Sequence, residues 1–174
     1  MPEPDRGKHL ILVGLPGAGK SSAGRLLAQR LKVGFIELDD LIERREKMSI
    51  VQIFARGGEK RFRDSESRAL ESLRIDGPSV ISVGGGAVEK EENRARLREL
   101  GRIVWLRLEA GDAAKRAEIH TRPLLSNAED PFAELALIAR RRDPLYAGLC
   151  DEQINANQPI EVVVDELQRL WHAR

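Results

Sequence analysis

The chain has 174 residues, 41% of them hydrophobic and 33% charged, a soluble globular profile with enough length for one domain and a real core. Its 29 basic and 28 acidic residues leave a net charge of +1. This excludes a nucleic-acid or polyanion surface as the main business, so any positive potential must be local. Cys150 is alone, so no intrachain disulfide forms, as suits a reducing compartment. The first eight residues are polar, with two prolines and no apolar centre of the kind a leader peptide needs. No run approaches the ~18 apolar residues of a membrane span. The expectation is a cytoplasmic protein with a single domain over residues 1–174.

Residues 8–13, with the apolar run Leu10-Ile11-Leu12-Val13, read as a buried strand. It leads into Gly14-Leu15-Pro16-Gly17-Ala18-Gly19-Lys20-Ser21, a Gly, four residues, then Gly-Lys-Ser, which is the P-loop pattern. A helix over 19–32 follows, with Ala23, Leu26, Leu27 and Leu31 on one face. This strand–loop–helix context makes Gly17, Ala18, Gly19, Lys20, Ser21 and Ser22 candidate phosphate-binding residues. The glycines let the backbone approach closely, successive N–H groups form an anion-binding concavity, and Lys20 adds a point charge. The Ser21 hydroxyl is a candidate Mg²⁺ ligand. Taken alone, the motif fits an ATPase, a GTPase or a kinase.

Gly34 breaks the helix. Phe35-Ile36-Glu37-Leu38 reads as a second strand, with Asp39 and Asp40 directly after it and a short helix over 40–47. Ser49 is a candidate N-cap for Ile50 to Ala55. Gly57-Gly58 interrupts, and a longer helix runs from about Glu59 to Arg74. Asp76-Gly77-Pro78 is a turn. Val80 to Val83 is a third strand ending in Gly84-Gly85-Gly86. A charged helix over 89–100 is closed by Gly101 as C-cap, and Ile103 to Leu106 is the fourth strand. A helix starts at Asp112. Residues 119–130 lack periodicity and read as a loop long enough to be a lid. Phe132 to Arg142 is helical and stops near Pro144. A fifth strand falls around Gln153 to Ala156, and a last helix runs from Pro159 to Trp171. Alternating strands and helices predict an α/β fold with a parallel sheet.

In an open α/β sheet the ligand crevice lies beyond the carboxyl ends of the strands. The P-loop, Asp39 and the triple glycine all fall on that rim. A carboxylate at Asp39 can hydrogen-bond an acceptor hydroxyl beside a γ-phosphate and take up its proton. Glu37, two residues earlier and so on the same side of the strand, could hold Mg²⁺ through water, whereas Asp40 reads as a helix-starting charge. Three glycines in a row suggest backbone N–H groups brought against a ligand. Arg63, Arg122 and Arg142 differ from other arginines in setting: beside Phe62, before Pro123-Leu124-Leu125 in the lid, and at a helix end before Pro144-Leu145-Tyr146. Composition alone does not single them out.

Together these motifs resemble the shikimate kinases, small P-loop enzymes of nucleoside monophosphate kinase-like type. The matching segments are Gly14 to Ser21, Phe35 to Asp39, Ser49-Ile50 with Ile53-Phe54, Phe62-Arg63 with Glu66, Gly84 to Val88, Arg122 to Leu125, and Arg142 to Tyr146. They run in order over about residues 8–160. The P-loop is shared by many families; the ordered set is specific.

The resemblance implies a three-layer α/β/α fold with a five-stranded parallel sheet in the order 2-3-1-4-5 and a lid over about 119–130. It implies ATP- and Mg²⁺-dependent phosphorylation of the shikimate 3-hydroxyl, in the pathway to chorismate and the aromatic amino acids. By the family pattern Asp39 binds the shikimate hydroxyls and serves as base or orienter. Arg63 and Arg142 hold the carboxylate, with the Gly85 and Gly86 amides nearby. Arg122 swings in to the phosphates, and Gln158, with Asn157 and Pro159, lies in the loop that packs on adenine. Either Lys115 or Arg116 supplies a basic residue over the base. The metal residues are Ser21 and Glu37.

Two positions depart from the pattern: Glu37 stands where the family usually has Asp, and Ser22 where it usually has Thr. The implied partners are shikimate and ATP, with no nucleic acid, no membrane and a monomeric state. Another small-molecule kinase, such as a gluconate kinase, would keep the P-loop without needing these arginines. A non-catalytic regulatory domain of the same fold is the other alternative. Retention of Asp39, Lys20, Arg63 and Arg142 together argues against it.

Overall fold

A computed structural model describes residues 9–173; the polar N-terminal stretch, and the expected first strand residue at position 8, lie outside the described residues. Five strands, β1 (His9–Val13), β2 (Gly34–Glu37), β3 (Ser79–Ser82), β4 (Arg102–Arg107) and β5 (Glu152–Asn155), form one sheet in the order β2-β3-β1-β4-β5. All neighbours are parallel, with Ile11 in register with Ile81 on one side and Ile103 on the other. Every residue of β1 and β3 is buried. Strands covered on both faces need no polar alternation, which is why they read as short continuous apolar runs.

Helices α1 (Lys20–Leu31) and α8 (Ile160–His172) pack together over one face. The other face carries α4 (Glu91–Leu100), against β1 and β4, and α7 (Pro131–Leu149), against β4; α3 (Ile50–Glu71) packs on α4, and α2 (Leu38–Glu46) on α3. Helices α5 (Ala110–Arg116) and α6 (Pro123–Ser126) complete the set. One continuous hydrophobic core runs between the layers. No helix among the described residues is long and apolar enough to cross a membrane.

Several boundaries differ from the sequence expectation, each for a physical reason. Leu38 is the first residue of α2 rather than the last of β2, so Asp39 sits in a helical first turn. The expected Ser49 cap is present as a full capping box, its hydroxyl accepting from Gln52 N–H while the Gln52 side chain accepts from Ser49 N–H. Gly58 takes φ +67° and kinks α3 without ending it. The expected lid loop contains a 3-10 turn, Ile119–Thr121, and α6.

The α7 helix does not stop near Pro144 but continues to Leu149. Proline removes one donor, but Leu135, Ile138, Ala139, Arg142, Tyr146 and Leu149 make a single buried stripe through it. The burial gained beyond the proline outweighs the lost bond. The final helix begins at Ile160, with Pro159 as its N-cap.

Gly101 follows α4 as expected, but with φ 170° rather than a left-handed cap. Its role is close approach, since a Cβ there would collide with the His9 backbone carbonyl. Gly101→Ala is therefore expected to lower unfolding free energy by about 1–3 kcal/mol, the range for overpacking, read as a reduced urea midpoint at unchanged m-value.

Candidate active site

The rim of the sheet carries two cavities. The first, of about 560 Å³, is lined by Gly17, Ala18, Gly19, Lys20, Ser21 and Ser22 together with Glu37, Asp39, Gly84, Arg116, Arg122 and Gln158. The second, of about 440 Å³, is lined by Asp39, Arg63, Glu66, Gly84, Gly85, Gly86, Arg122 and Arg142, with Phe54, Phe62 and Leu124 as apolar wall. Asp39, Gly84 and Arg122 belong to both, so the cavities meet at one carboxylate and one guanidinium. The P-loop set Gly17 to Ser22, Glu37, Asp39, Arg122 and Gln158 line the first, and Arg63, Gly85, Gly86 and Arg142 the second, while Lys115, Asn157 and Pro159 line neither.

In the first cavity the P-loop wraps the start of α1. Gly17 and Gly19 take φ +84° and +83°, conformations that favour glycine. Lys20 is 8% exposed, and its ammonium donates to the Gly14 and Leu15 carbonyls at 2.8 and 3.0 Å. Burial, reinforced by the Arg122 charge and opposed by Glu37 and Asp39, pushes its pKa down to about 7. The Lys20 amine is held without a direct carboxylate partner, and an incoming anion would favour its charged form.

Burial raises the pKa of Glu37, with the Ser21 hydroxyl pulling the other way. Its Oε2 is buried with no hydrogen-bond partner. At the far end, Arg116 donates to the Ala156 carbonyl at 2.8 Å and to Asn157 Oδ1 at 2.9 Å. Lys115 instead points to Asp112 and does not line the cavity, whereas Arg116 does. Gln158 is held by a 2.7 Å bond from its amide to Glu166.

In the second cavity, Arg63 is fixed by Glu66 at 2.9 Å and by Glu59 at 3.3 Å, with its guanidinium 5.1 Å from the centre of the Phe62 ring. Arg142, 2% exposed, donates through Nε to Glu89 at 2.6 Å. Its Nη2 is buried and unpartnered. Arg122 Nη1 stands 3.7 Å from Asp39 Oδ2. Burial raises the Asp39 pKa against the pull of Arg122 and Lys20, and Asp39 Oδ1 has no hydrogen-bond partner.

The triple glycine serves side chains. A Cβ at Gly84 would stand 3.0 Å from Glu66 Oε1 and 3.1 Å from Asp39 Oδ1, and one at Gly86 would collide with the Arg63 guanidinium. The Gly84, Gly85 and Gly86 carbonyls are taken up by Ala87 N–H, the Tyr146 hydroxyl and Glu89 N–H.

Three contributors were not singled out as site residues from the sequence. Glu66 is fully buried, and burial pushes its pKa up to about 7 against the pull of Arg63. Its signal was its place three residues after Arg63, on the same helical face. Glu89 and Tyr146 had no local signal, because each meets its partner more than 50 residues away.

Sheet order, P-loop and paired cavities define a P-loop kinase fold. The shikimate kinase family model matches residues 16–171. A shikimate kinase of Nitrobacter winogradskyi is 41% identical over 169 residues, covering 97% of this chain and 78% of the relative. The structure of an Acinetobacter baumannii shikimate kinase in complex with shikimate superposes with a TM-score of 0.90 at 33% identity, covering 95% of this chain and 93% of that one. A Sinorhizobium meliloti gluconokinase reaches a TM-score of 0.63 at 22% identity, over 97% and 95% of the two chains, which shows a common fold alone. The chain belongs to the shikimate kinase family.

The Lys20 shift has a measurable consequence. With a free-state pKa near 7, much of Lys20 is neutral at pH 8, where the phosphates of ADP are already ionised. Binding that recharges Lys20 must therefore take up protons, and affinity must fall as pH rises above 7. Titration calorimetry of ADP binding at pH 8 in two buffers of different ionisation enthalpy is expected to show net uptake that Lys20→Met removes. Buffer-independent heats would contradict it.

Proposed function

We propose that this protein transfers the γ-phosphoryl group of ATP to the 3-hydroxyl of shikimate, acting as a single catalytic unit and a monomer. The observation that carries the reading is the pair of cavities joined at Asp39 and Arg122, one floored by the P-loop and the other held between two arginines. Family membership supplies the acceptor. The geometry explains why such an acceptor fits.

Shikimate is a small carboxylate with several hydroxyls. A guanidinium fork offers two parallel hydrogen bonds to a carboxylate, which an ammonium cannot. Arg63 and Arg142 both face the second cavity, and the buried, unpartnered Nη2 of Arg142 is a donor awaiting an acceptor. The apolar wall of Phe54, Phe62 and Leu124 suits the cyclohexene ring.

Asp39, between the cavities, orients the hydroxyl and accepts its proton. A carboxylate raised by burial is a better base than an exposed one. Arg122 reaches across the junction to spread charge on the transferring group, and closure of the 119–130 segment excludes competing water. Lys20 and the P-loop backbone hold the phosphates, while Arg116 and Gln158 bound the base end of the cavity.

For Mg²⁺, the Ser21 hydroxyl and the Glu37 carboxylate are the donors in place. Mg²⁺ takes few protein ligands and fills its octahedron with phosphate oxygens and water. The buried, unpartnered Glu37 Oε2 fits a water-mediated contact of that kind. When bound, the ion neutralises charge on the phosphoryl oxygens.

The direct test is a coupled ADP-release assay with shikimate, with gluconate as control and EDTA to remove the metal. Shikimate-dependent, EDTA-sensitive turnover is expected, and its absence would sink the reading. Asp39→Asn is expected to cut kcat by at least ~10²-fold, the scale of general-base loss, while partly keeping shikimate binding. Wild-type activity should fall as pH drops and Asp39 protonates. Unchanged turnover in the variant would remove Asp39 from the chemistry.

A further inference from the structure

We infer that Glu89 positions Arg142 for the carboxylate of the acceptor. The inference rests on the shikimate kinase reading and names a residue that reading does not require.

Arg142 lies on the buried stripe of α7 and reaches toward the turn after β3. A guanidinium is planar, so fixing the Nε–H direction on a side chain whose Cδ–Nε bond is already packed in place fixes the plane of all three nitrogens. Glu89 does this through the 2.6 Å bond to Nε. The remaining nitrogens then form the working edge. Nη1 lies 3.3 Å from the place a Gly85 Cβ would take, and Nη2 is buried without a partner. Deprived of the bond at Nε, a long side chain recovers rotamer freedom, and the edge is no longer presented.

Glu89 is itself held firmly. It closes the 3-10 turn Ala87–Glu89 that follows the triple glycine, and its N–H donates to the Gly86 carbonyl at 3.0 Å. The next residue, Lys90, is tied to Asp64 of α3 at 3.0 Å. The segment that brings Gly85 and Gly86 to the cavity thus also carries the carboxylate that aims Arg142. Arg141 shares Glu89 Oε1 at 3.3 Å but is 55% exposed, so water can replace that contact.

Glu89 does not line the acceptor cavity, so it acts through Arg142. Its negative charge partly offsets the arginine and by itself would weaken anion binding. A purely electrostatic role therefore predicts tighter acceptor binding when Glu89 is lost. Positioning predicts weaker binding.

The test compares Glu89→Met, which keeps the shape but removes the acceptor atoms, with Glu89→Gln, which keeps one acceptor without the charge. Loss of a hydrogen bond to a charged group predicts at least a ~10-fold rise in shikimate KM for Glu89→Met, with kcat and ATP KM within about threefold of wild type. Glu89→Gln should stay within about threefold throughout. Equilibrium binding of shikimate methyl ester, which lacks the charged carboxylate, should be the same in wild type and Glu89→Met. An unchanged shikimate KM in Glu89→Met overturns the inference. So does an ester weakened as much as shikimate, which would mean general damage to the pocket. A Glu89→Gln variant as impaired as Glu89→Met would mean that an acceptor atom at this position does not aim Arg142, and would also overturn it. Failure of the underlying reading shows separately, as absence of shikimate-dependent turnover in the wild type before any variant is made.

Discussion

A Cβ at Gly85 would lie 3.0 Å from the Gly14 carbonyl oxygen, 3.2 Å from the Tyr146 hydroxyl and 3.3 Å from Arg142 Nη1. Its neighbours are confined just as closely by Asp39, Glu66 and Arg63. The backbone after β3 is therefore a partition one residue thick between the P-loop and a cluster of charged side chains. Because it carries no side chain, four buried or half-buried charges from three different helices converge on it. The rest of the site depends on that thinness. It sets the distance between the cavity floored by Lys20 and the cavity held by Arg63 and Arg142, and leaves Asp39 and Arg122 at the passage between them.

Burying so many ionisable groups is costly unless each is compensated. The structure compensates them unevenly. Arg63 has Glu66 and Glu59, and Arg142 has Glu89. Lys20 has only carbonyls, and Asp39, Glu37 and Glu66 each retain one buried oxygen without a hydrogen-bond partner. Lys20, Asp39, Glu37 and Glu66 all line one or both of the two cavities. Their orientation is fixed before any ligand arrives, and the energy of completing them is available to bind the polar groups of a ligand. Preorganisation of this kind suits phosphoryl transfer, where the protein contributes positioning and charge more than covalent chemistry.

Much of this was legible in the sequence, because its signals are local. The P-loop with its flanking strand and helix, the Ser49 cap and the continuous apolar strands all follow from near neighbours in the chain. The sheet order came through resemblance to a family, carried by motifs spread in sequence. What stayed hidden is non-local. The triple glycine suggests backbone brought against a ligand, but nothing local reveals that Cβ atoms there would also meet side chains from α2, α3 and α7. The end of α7 was misplaced because Pro144 signals a stop that the burial of Tyr146 and Leu149 overrides. Arg116 rather than Lys115 lines the first cavity because it is drawn to the Ala156 carbonyl, 40 residues further on. Glu89 gave no sign at all, since nothing near it in the chain reveals a buried arginine 53 residues away.

The central claim is that donor and acceptor occupy separate cavities that meet at Asp39. A crystal structure of the protein with ADP and shikimate bound together tests this most directly. The account predicts nucleotide phosphates on the backbone of Gly17 to Ser21, the shikimate carboxylate between Arg63 and Arg142, and a ring hydroxyl on Asp39 facing the terminal phosphate. Mutually exclusive binding of the two ligands, or a shikimate carboxylate away from both arginines, would contradict it.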